Sequence, residues 1–322
     1  MFPVTRRISP SEFCNLSRPL FFNEFEQQDC SEYLIHILNS LITHEQLPVL
    51  NAEQQNSSDH PSDPQTASET QPSCSNSSPP DDALPSSSSS GASNNKRSTK
   101  SFVDELFKSV LGTNIHCSGC QSVSVSSSNF HELLVTIPES RKDNVCVQSL
   151  IDAYCSSELL TGSAMYNCNV CNGPQLAVRV NLFLSTPKYL IVVMNNFKYD
   201  KRLQVQKIFV GSIHCNNEVT LPTWIPMEKT YQLYAAVIHE SPFAQTGHYY
   251  TLAKDDTEWY LFNDDNVTQV NENYLQSLDS CCTPYLLFYK RTDIEDTYKP
   301  SIEDVPLKFR RLLHKRSKTP KV

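Results

Sequence analysis

The sequence contains no long apolar run and no excess of basic residues. No stretch approaches the ~20 consecutive apolar residues that a membrane-spanning helix needs. The first residues, MFPVTRRISPSEF, also lack the apolar core of a secretory signal. We therefore expect an intracellular protein, cytoplasmic or nuclear or both, that has no membrane partner. The formal net charge of −8 at pH 7 argues against a general nucleic-acid-binding protein.

Charge is unevenly distributed along the chain. Residues 305–322 contain seven basic residues and no acidic residue, so the remainder carries a formal charge of −15, which is −8 minus 7. The acidic remainder favours a basic partner. We interpret residues 292–322 as a basic carboxyl-terminal tail. It is either a solvated charge run, a contact for an acidic surface or an import signal.

Residues 51–101 differ in composition from the rest of the chain. They include sixteen serines and six prolines, and they contain no aromatic residue and no Ile, Val or Met. Such a segment cannot bury enough apolar surface to offset the entropy that is lost on ordering. We therefore predict a disordered Ser/Pro-rich insert that separates residues 1–50 from residues 102–291.

Two segments have the periodicity of amphipathic helices. In the first, Asp29 and Glu32 resemble a capping box, and apolar residues then recur at helical spacing. These residues are Leu34, Ile37, Leu38, Leu41 and Ile42. The second helix is predicted to begin near Ser101 and to end at Gly112. Its inward-facing residues are Phe107, Val110 and Leu111.

Strands are predicted from about Gln175 onward. Segments rich in β-branched and aromatic residues, which are typical of strands, recur in this part of the chain. They are LAVRVNLFL, YLIVVM, YQLYAAVIH, HYYTLA, EWYLF and YLLFYK. Short helices followed by a mostly antiparallel sheet indicate the α+β class.

Two C-x-x-C pairs stand out among the twelve cysteines, which we expect to be mostly reduced in an intracellular protein. Cys117 and Cys120 form one pair, and Cys168 and Cys171 form the other, with 47 residues between the pairs. Two residues between thiolates allow one tight turn to place both sulfurs on a single ion. Two such turns form a tetrahedral structural zinc site. The alternative is two unrelated pairs of buried thiols.

Five motifs occur in order along the chain. They are EQQDCSEYLIHILNSL, ELLTGSAMYNCNVC, PKYLIVVMNNFKYD, GHYYTLAKDDTEWYLFNDDNV and YLLFYKR. Together they resemble the ubiquitin-specific proteases, papain-like cysteine enzymes that cleave ubiquitin from its conjugates. The chain departs from the family pattern at Cys30 and Tyr33, where the family has Ala and Phe, and at Asn196, where it has Arg.

The resemblance implies a papain-like fold of thumb, palm and fingers. A helical thumb, a β-sheet palm and zinc-tipped fingers grip ubiquitin in this fold, and the amino-terminal part of the thumb is expected to be missing here. Residues 1–50 would form a partial thumb, and residues 102–291 would form the fingers and the palm. The implied partners are ubiquitin and ubiquitinated proteins, and the implied cofactor is structural zinc.

The resemblance also implies catalytic residues. The family's histidine corresponds to His248 and its third triad residue to Asn263, with Asp264 as an alternative or auxiliary orienting group. An imidazole can hold a thiolate as an ion pair and later protonate the leaving amine. We expect Asn263 to fix the ring by accepting a hydrogen bond from Nδ1. His239, at the end of a predicted strand, is expected to be structural.

The family's nucleophile lies in a G-N-T-C-Y-x-N box upstream of Q-Q-D, and this chain contains no such box. Cys14 lacks the flanking residues of that box, and Cys30 lies inside the predicted helix. Because a thiol without a placed base or oxyanion donors is inert, we expect neither to be catalytic. Three hypotheses follow: a ubiquitin-specific protease without its amino-terminal part, a non-catalytic ubiquitin-binding pseudoenzyme, or a zinc-stabilised interaction scaffold that does not bind ubiquitin.

Overall fold

The computed structural model describes residues 11–23, 26–46, 101–138, 144–200, 204–207, 212–225, 227–241, 246–255, 257–279 and 281–294. The predicted insert lies outside the described residues except for Ser101, and so does the predicted tail beyond residue 294. Among the helices of this described part, none is both long enough and apolar enough to cross a lipid bilayer.

The described residues form four α-helices and eighteen strands. The helices are α1 (Ser11–Ser17), α2 (Cys30–Gln46), α3 (Phe102–Phe107) and α4 (Val147–Cys155). The strands are β1 (Ser109–Cys117), β2 (Val123–Phe130), β3 (Glu132–Thr136), β4 (Asn144–Cys146), β5 (Glu158–Leu160), β6 (Tyr166–Cys168), β7 (Gly173–Gln175), β8 (Ala177–Ser185), β9 (Tyr189–Asn195), β10 (Phe197–Asp200), β11 (Gln204–Lys207), β12 (Ser212–His214), β13 (Glu218–Leu221), β14 (Lys229–Glu240), β15 (His248–Asp255), β16 (Glu258–Asn263), β17 (Asn266–Val270) and β18 (Cys282–Arg291). The six predicted strand segments coincide with β8, β9, β14, β15, β16 and β18, which confirms them, and β1 to β7 precede the region where strands were predicted.

The largest sheet carries the first candidate site. Its strands follow the order β17-β16-β15-β14-β18-β9-β3, and β13 also pairs with β14. Only β3 and β9 pair in parallel in this sheet as described. A second sheet has the order β2-β1-β8-β5, and β6 pairs with β7 in a short hairpin. Helices and a mostly antiparallel sheet form the predicted α+β class.

Strand β9 shows how the main sheet is buried on both faces. Successive side chains of a strand point to opposite faces. Val192 and Met194 pack in the cluster that contains Ile151 of α4, whereas Ile191 packs with Leu38 of α2. Both faces of β9 are therefore covered by helices, and this is why its sequence is apolar at successive positions rather than alternating.

Helix α2 confirms the first predicted helix. Asp29 Oδ1 accepts hydrogen bonds from two backbone N–H groups of the first turn, at 2.7 and 3.1 Å, and so caps the helix. The buried face follows the i, i+4 row from Leu34 through Leu38 to Ile42. Leu41, which was predicted on the same face, is 49% exposed because it lies beside this row.

The second predicted helix is wrong beyond Phe107. Helix α3 ends there, and the chain enters β1, which pairs with both β2 and β8. Val110 and Leu111 are strand residues, and Leu111 is buried in the main core. Gly112 does not end a helix; a Cβ at this position would lie 3.0 Å from the Leu184 side chain of β8. Pairing on both edges satisfies the backbone of β1, so tertiary context overrides the local helical spacing.

Candidate active site and cysteine cluster

The first candidate site lies where β15 begins and β16 ends. His248 is the first residue of β15, and Asn263 is the last residue of β16. Because the two strands are antiparallel neighbours, these ends come together. His248 Nε2 lies 2.6 Å from Asn263 Oδ1, which is a hydrogen bond from the ring N–H to the amide oxygen.

The ring nitrogen that contacts Asn263 differs from the one we expected. Nε2 rather than Nδ1 donates to the amide oxygen. Nε2 is the ring nitrogen farther from the backbone, and the histidine must reach from β15 to the end of the adjacent strand. This orientation leaves Nδ1 of His248 for a second partner.

Asp264 is placed less favourably than Asn263 to orient the histidine. Its Oδ2 lies 3.9 Å from His248 Nε2, and its side chain is 78% exposed. Asp264 occupies the turn between β16 and β17 at a φ of +50°, a conformation that Asp adopts more readily than most residues. A carboxylate so distant and so exposed contributes only a weak, screened attraction. Asn263 is the closer partner.

The residue before His248 is a glycine because His239 packs against it. A Cβ at Gly247 would lie 2.4 Å from His239 Nε2 and 2.9 Å from the backbone oxygen of Glu240. His239 is 3% exposed, and its ring lies against that of Tyr249 with 4.9 Å between the centroids. His239 thus packs beside the site, against Gly247 and Tyr249.

Gln27 holds the backbone of Gly247 from a distant part of the chain. Gln27 Nε2 donates to Gly247 O at 2.9 Å, and Gly247 N donates to Gln27 Oε1, also at 2.9 Å. This reciprocal pair resembles the pairing of neighbouring strands and fixes the residue immediately before His248. The sequence did not predict this contact, because the Q-Q-D segment is typical of a helix start. The two glutamines before the capping Asp29 were the only indication in the sequence that this segment binds another part of the chain.

Asp29 attaches α2 to the same sheet. Its Oδ2 accepts a hydrogen bond from the Tyr285 hydroxyl of β18 at 2.6 Å, while Oδ1 caps the helix. A cleft of about 90 Å³ lies between the Q-Q-D segment and the residues before β15. It is lined by Gln27, Gln28, Asp29, His239, Thr246, Gly247 and Tyr249.

The two amino-terminal cysteines differ in their surroundings. Cys14 is exposed on α1. Cys30 is the first residue of α2, and burial, reinforced by the charge of Asp29, raises the pKa of its thiol to about 12. A thiol with such a pKa supplies almost no thiolate near neutral pH. Cys30 is therefore unsuited to nucleophilic attack.

The second candidate site is a cluster of four cysteines at the turns of two hairpins. Cys117 and Cys120 belong to the β1–β2 hairpin, and Cys168 and Cys171 belong to the β6–β7 hairpin. All four sulfurs lie within 4.8 Å of one another. The Sγ atoms of Cys117 and Cys171 are 3.9 Å apart, and those of Cys120 and Cys168 are 3.6 Å apart. This arrangement can hold one metal ion.

The two hairpin turns of this cluster are built alike. A residue with positive φ directly follows the second cysteine of each pair: Gln121 at 62° and Asn172 at 54°. The left-handed residue turns the chain sharply, so that both thiols of a pair face the same point. In the first turn, a Cβ at Gly119 would lie 3.2 Å from Cys171 Sγ. Glycine therefore allows the two turns to approach closely.

The thiols of this cluster differ in how readily they ionise. A hydrogen bond from the Cys171 backbone lowers the pKa of Cys168 to about 6, against the effect of burial and with help from Val170 N. The pKa of Cys171 is raised to about 12, first through its hydrogen bond with the Cys120 sulfur. Such crowded sulfurs do not all ionise together unless a cation lies among them.

Comparison with known proteins shows the family of this chain. The family model for ubiquitin carboxyl-terminal hydrolase matches residues 4–289. The probable ubiquitin carboxyl-terminal hydrolase 9 of Schizosaccharomyces pombe is 29% identical over 204 residues, which are 61% of this chain and 34% of that protein. Ubiquitin carboxyl-terminal hydrolase creB of Emericella nidulans is 28% identical over 211 residues, which are 63% of this chain and 27% of that protein. The chain thus spans 34% and 27% of the length of these two curated relatives.

A solved structure supports the fold. A chain of the SAGA Ubp8/Sgf11/Sus1/Sgf73 DUB module bound to ubiquitin aldehyde has a TM-score of 0.52 and 20% sequence identity, over 63% of this chain and 45% of that chain. Its likeness to this structure confirms the α+β fold of the ubiquitin-specific proteases. Because the family match extends over nearly the whole sequence, this chain belongs to the ubiquitin carboxyl-terminal hydrolase family.

Proposed function

We propose that this chain supplies the base and the ubiquitin-binding frame of a thiol-dependent hydrolase that cleaves ubiquitin conjugates. The observation that carries the proposal is the 2.6 Å hydrogen bond between His248 Nε2 and Asn263 Oδ1, in a chain of this hydrolase family. Ubiquitin aldehyde is bound in the module that shares the fold, which supports ubiquitin as the ligand here. The bond cleaved would be the isopeptide bond after the carboxyl-terminal Gly of ubiquitin.

The orientation of the His248 ring supports its role in such a reaction. Because Nε2 is hydrogen-bonded to Asn263, Nδ1 is the nitrogen that takes the proton of a thiol. The thiolate attacks the carbonyl carbon, and the C–N bond breaks as Nδ1 returns the proton to the leaving amine. Water then hydrolyses the thioester, with the imidazole again acting as base. Asn263 suffices as the orienting group because a thiolate–imidazolium pair needs orientation more than an added negative charge.

The thiol for this reaction must come from a cysteine other than Cys14 and Cys30. Within the described part of the chain, the hydrogen-bond and ion-pair partners of the His248 ring are Asn263 and Asp264. Burial keeps Cys30 protonated, and Cys14 lies exposed on a short helix. We therefore propose that the 322 residues bind ubiquitin without hydrolysing its conjugates.

A ubiquitin probe with an electrophile at its carboxyl terminus tests this proposal. The 322-residue protein should remain unlabelled. A chain extended upstream by a segment with G-N-T-C-Y-x-N should be labelled at the cysteine of that segment. Labelling of the unextended protein at Cys14 or Cys30 would show that this chain contains the nucleophile, and the proposed active site would be wrong. An extended chain that folds and binds ubiquitin, yet stays unlabelled, would overturn the proposed activity.

A pseudoenzyme that binds ubiquitin and stays inactive even after the upstream extension is the second candidate function. It is favoured by the two partners of His248 in the described part, neither of which is a thiol. Immobilised ubiquitin distinguishes this candidate from the others. Retention of the chain, combined with no turnover after the upstream extension, would favour a pseudoenzyme. Failure to retain a folded, zinc-loaded chain would favour the interaction scaffold.

We propose zinc as the ion that the four-cysteine cluster binds. Four converging sulfurs are the donor set of a structural zinc site, and the backbone already stabilises the thiolate of Cys168. Zinc held by four thiolates would cross-link the β1–β2 and β6–β7 hairpins and would have no open position for chemistry. Elemental analysis of purified protein in reductant should find one zinc per chain, and a zinc-free folded protein would contradict the proposal.

A further inference from the structure

Glu240, Cys281 and Cys282 form a second group of potential metal ligands, named here the Glu240 cluster. Each residue offers one ligand atom, and all three atoms lie within 4.8 Å of one another. The Sγ atoms of Cys281 and Cys282 are 3.9 Å apart and are not joined in a disulfide. The cluster is separate from the four cysteines of the two hairpins.

The fold brings these three side chains to one face of the main sheet. Glu240 is the last residue of β14, and it pairs directly with Cys282, the first residue of β18. Directly paired residues of neighbouring strands point to the same face. Cys281 precedes the strand and lies in a turn. The alternation of side chains between the two faces, which holds within a strand, therefore does not apply to Cys281.

Backbone hydrogen bonds hold the cluster in place. Ser241 N donates to Cys281 O at 3.0 Å, and Cys282 N donates to Asp279 O at 2.9 Å. Outer contacts of this kind orient ligand atoms at metal sites. The backbone that carries the two cysteines is therefore fixed before any ion binds.

The cluster is accessible to solvent. Glu240 is exposed, and both cysteines are half-buried. A hydrated cation can reach the sulfurs from solution, which distinguishes this group from thiols of the core such as Cys215, which is 0% exposed. Glu240 also pairs with His248 on the other edge of β14, so an ion here would lie one strand away from the predicted base.

The geometry points to a second metal site in which Glu240, Cys281 and Cys282 bind a thiophilic divalent cation such as Zn²⁺ or Cd²⁺. Two thiolates and a carboxylate suit these ions, whereas Mg²⁺ and Ca²⁺ require oxygen ligands. Each thiol releases its proton to solvent when its sulfur binds the metal. Three protein ligands leave the fourth tetrahedral position open for water or another small ligand.

Cd²⁺ titration of the full chain in reductant, after removal of metal, tests this site. Bound Cd²⁺ is measured by elemental analysis, and sulfur ligation is measured by the ultraviolet charge-transfer absorbance of Cd–thiolate bonds. The first equivalent should occupy the four-cysteine cluster. The second should add about half as much absorbance, because it has two thiolate ligands rather than four.

Three substitutions assign the second equivalent. Cys281→Ser and Cys282→Ser should each abolish it and leave the first intact, and Glu240→Gln should weaken it about tenfold or more by removing an anionic ligand. Because Glu240 is exposed, Glu240→Gln keeps the test valid if a cysteine variant fails to fold. Cys14→Ser, an exposed thiol elsewhere, should leave both equivalents unchanged. Absence of a second equivalent, or its persistence in all three cluster variants, would overturn the inference.

Discussion

The four-cysteine cluster is built from two similar hairpin turns, whereas the His248 corner, which comprises Gly247, His248 and Asn263, is held by contacts between distant parts of the chain. Each cysteine pair lies in its own hairpin turn. In both turns, the residue after the second cysteine has a positive φ. At the other site, Gln27 and Gly247 are 220 residues apart and share two hydrogen bonds. The proposed metal site thus repeats one local turn twice, whereas the histidine site combines two neighbouring strands with a residue from a distant part of the chain.

The two regions should therefore fail in different ways. Loss of one cysteine should release the zinc that we propose to join the two hairpins, so it should act through stability. A change beside His248 should cost less stability and should also displace one ring, because the strands that carry the ring remain paired. Substitutions with matched controls can separate these two kinds of failure.

The largest effect is expected from Cys168→Ser. Loss of a structural zinc ligand removes metal and stability together, and we expect about 3–5 kcal/mol less unfolding free energy. Elemental analysis and chemical denaturation measure the two losses. Cys14→Ser, which changes an exposed thiol, should cost neither. A Cys168→Ser protein with full zinc content and normal stability would show that the cluster does not hold the ion.

Gly247→Ala should have the next largest effect. The new Cβ would lie 2.4 Å from His239 Nε2 and 2.9 Å from Glu240 O, so the buried ring or the backbone must shift, at a cost of about 1–3 kcal/mol. Gly173→Ala is the matched control, because a Cβ there meets nothing within 4 Å. Thermal unfolding of both variants measures the difference. Equal melting temperatures would mean that His239 does not constrain Gly247.

Gln27→Ala should have a smaller effect that is confined to the His248 corner. Two hydrogen bonds to Gly247 are lost at an exposed position, which should cost about 1 kcal/mol. Hydrogen exchange of the Gly247 amide should accelerate, while zinc content stays normal. Gln28→Ala removes a bond to Asn23 O at 3.3 Å instead, and should leave that amide protected. Unchanged exchange in Gln27→Ala would show that Gln27 does not hold the corner.

Deleting residues 53–98 should have the smallest effect. These residues lie outside the described structure, and their composition predicts an insert that belongs to neither region. Since the entropy of closing a loop grows only with the logarithm of its length, the melting temperature should stay nearly constant. A large fall in melting temperature would show that the segment packs against the folded part.

Local patterns predicted the elements whose own residues carry a strong apolar or β-branched signal. The apolar spacing and the cap at Asp29 predicted α2, and the runs of β-branched residues predicted β9 and β18. The same apolar spacing failed at Val110 and Leu111, because pairing with β2 and β8 decides their conformation. A local pattern carries no information about which strands will lie on either side of it.

The His248 corner was predictable only in part. The G-H-Y motif and the Asn after the aromatic run drew attention to His248 and Asn263, and the structure brings them within 2.6 Å. Their catalytic roles stay predictions. The choice of Nε2 over Nδ1 depends on how the ring reaches across two strands, and the Gln27 contact depends on where α2 begins relative to the sheet. A short stretch of sequence predicts neither the ring nitrogen that contacts Asn263 nor the Gln27 contact.

The most direct test of the account is the turnover of a ubiquitin conjugate by the chain extended with a G-N-T-C-Y-x-N segment. His248→Ala should abolish turnover by removing proton transfer. Asn263→Ala should reduce kcat by a smaller factor, because orientation of the ring is a smaller contribution than proton transfer. Asp264→Ala should reduce it least, since that carboxylate is 3.9 Å from the ring and exposed. Full turnover by His248→Ala, or a greater loss in Asp264→Ala than in Asn263→Ala, would contradict the account.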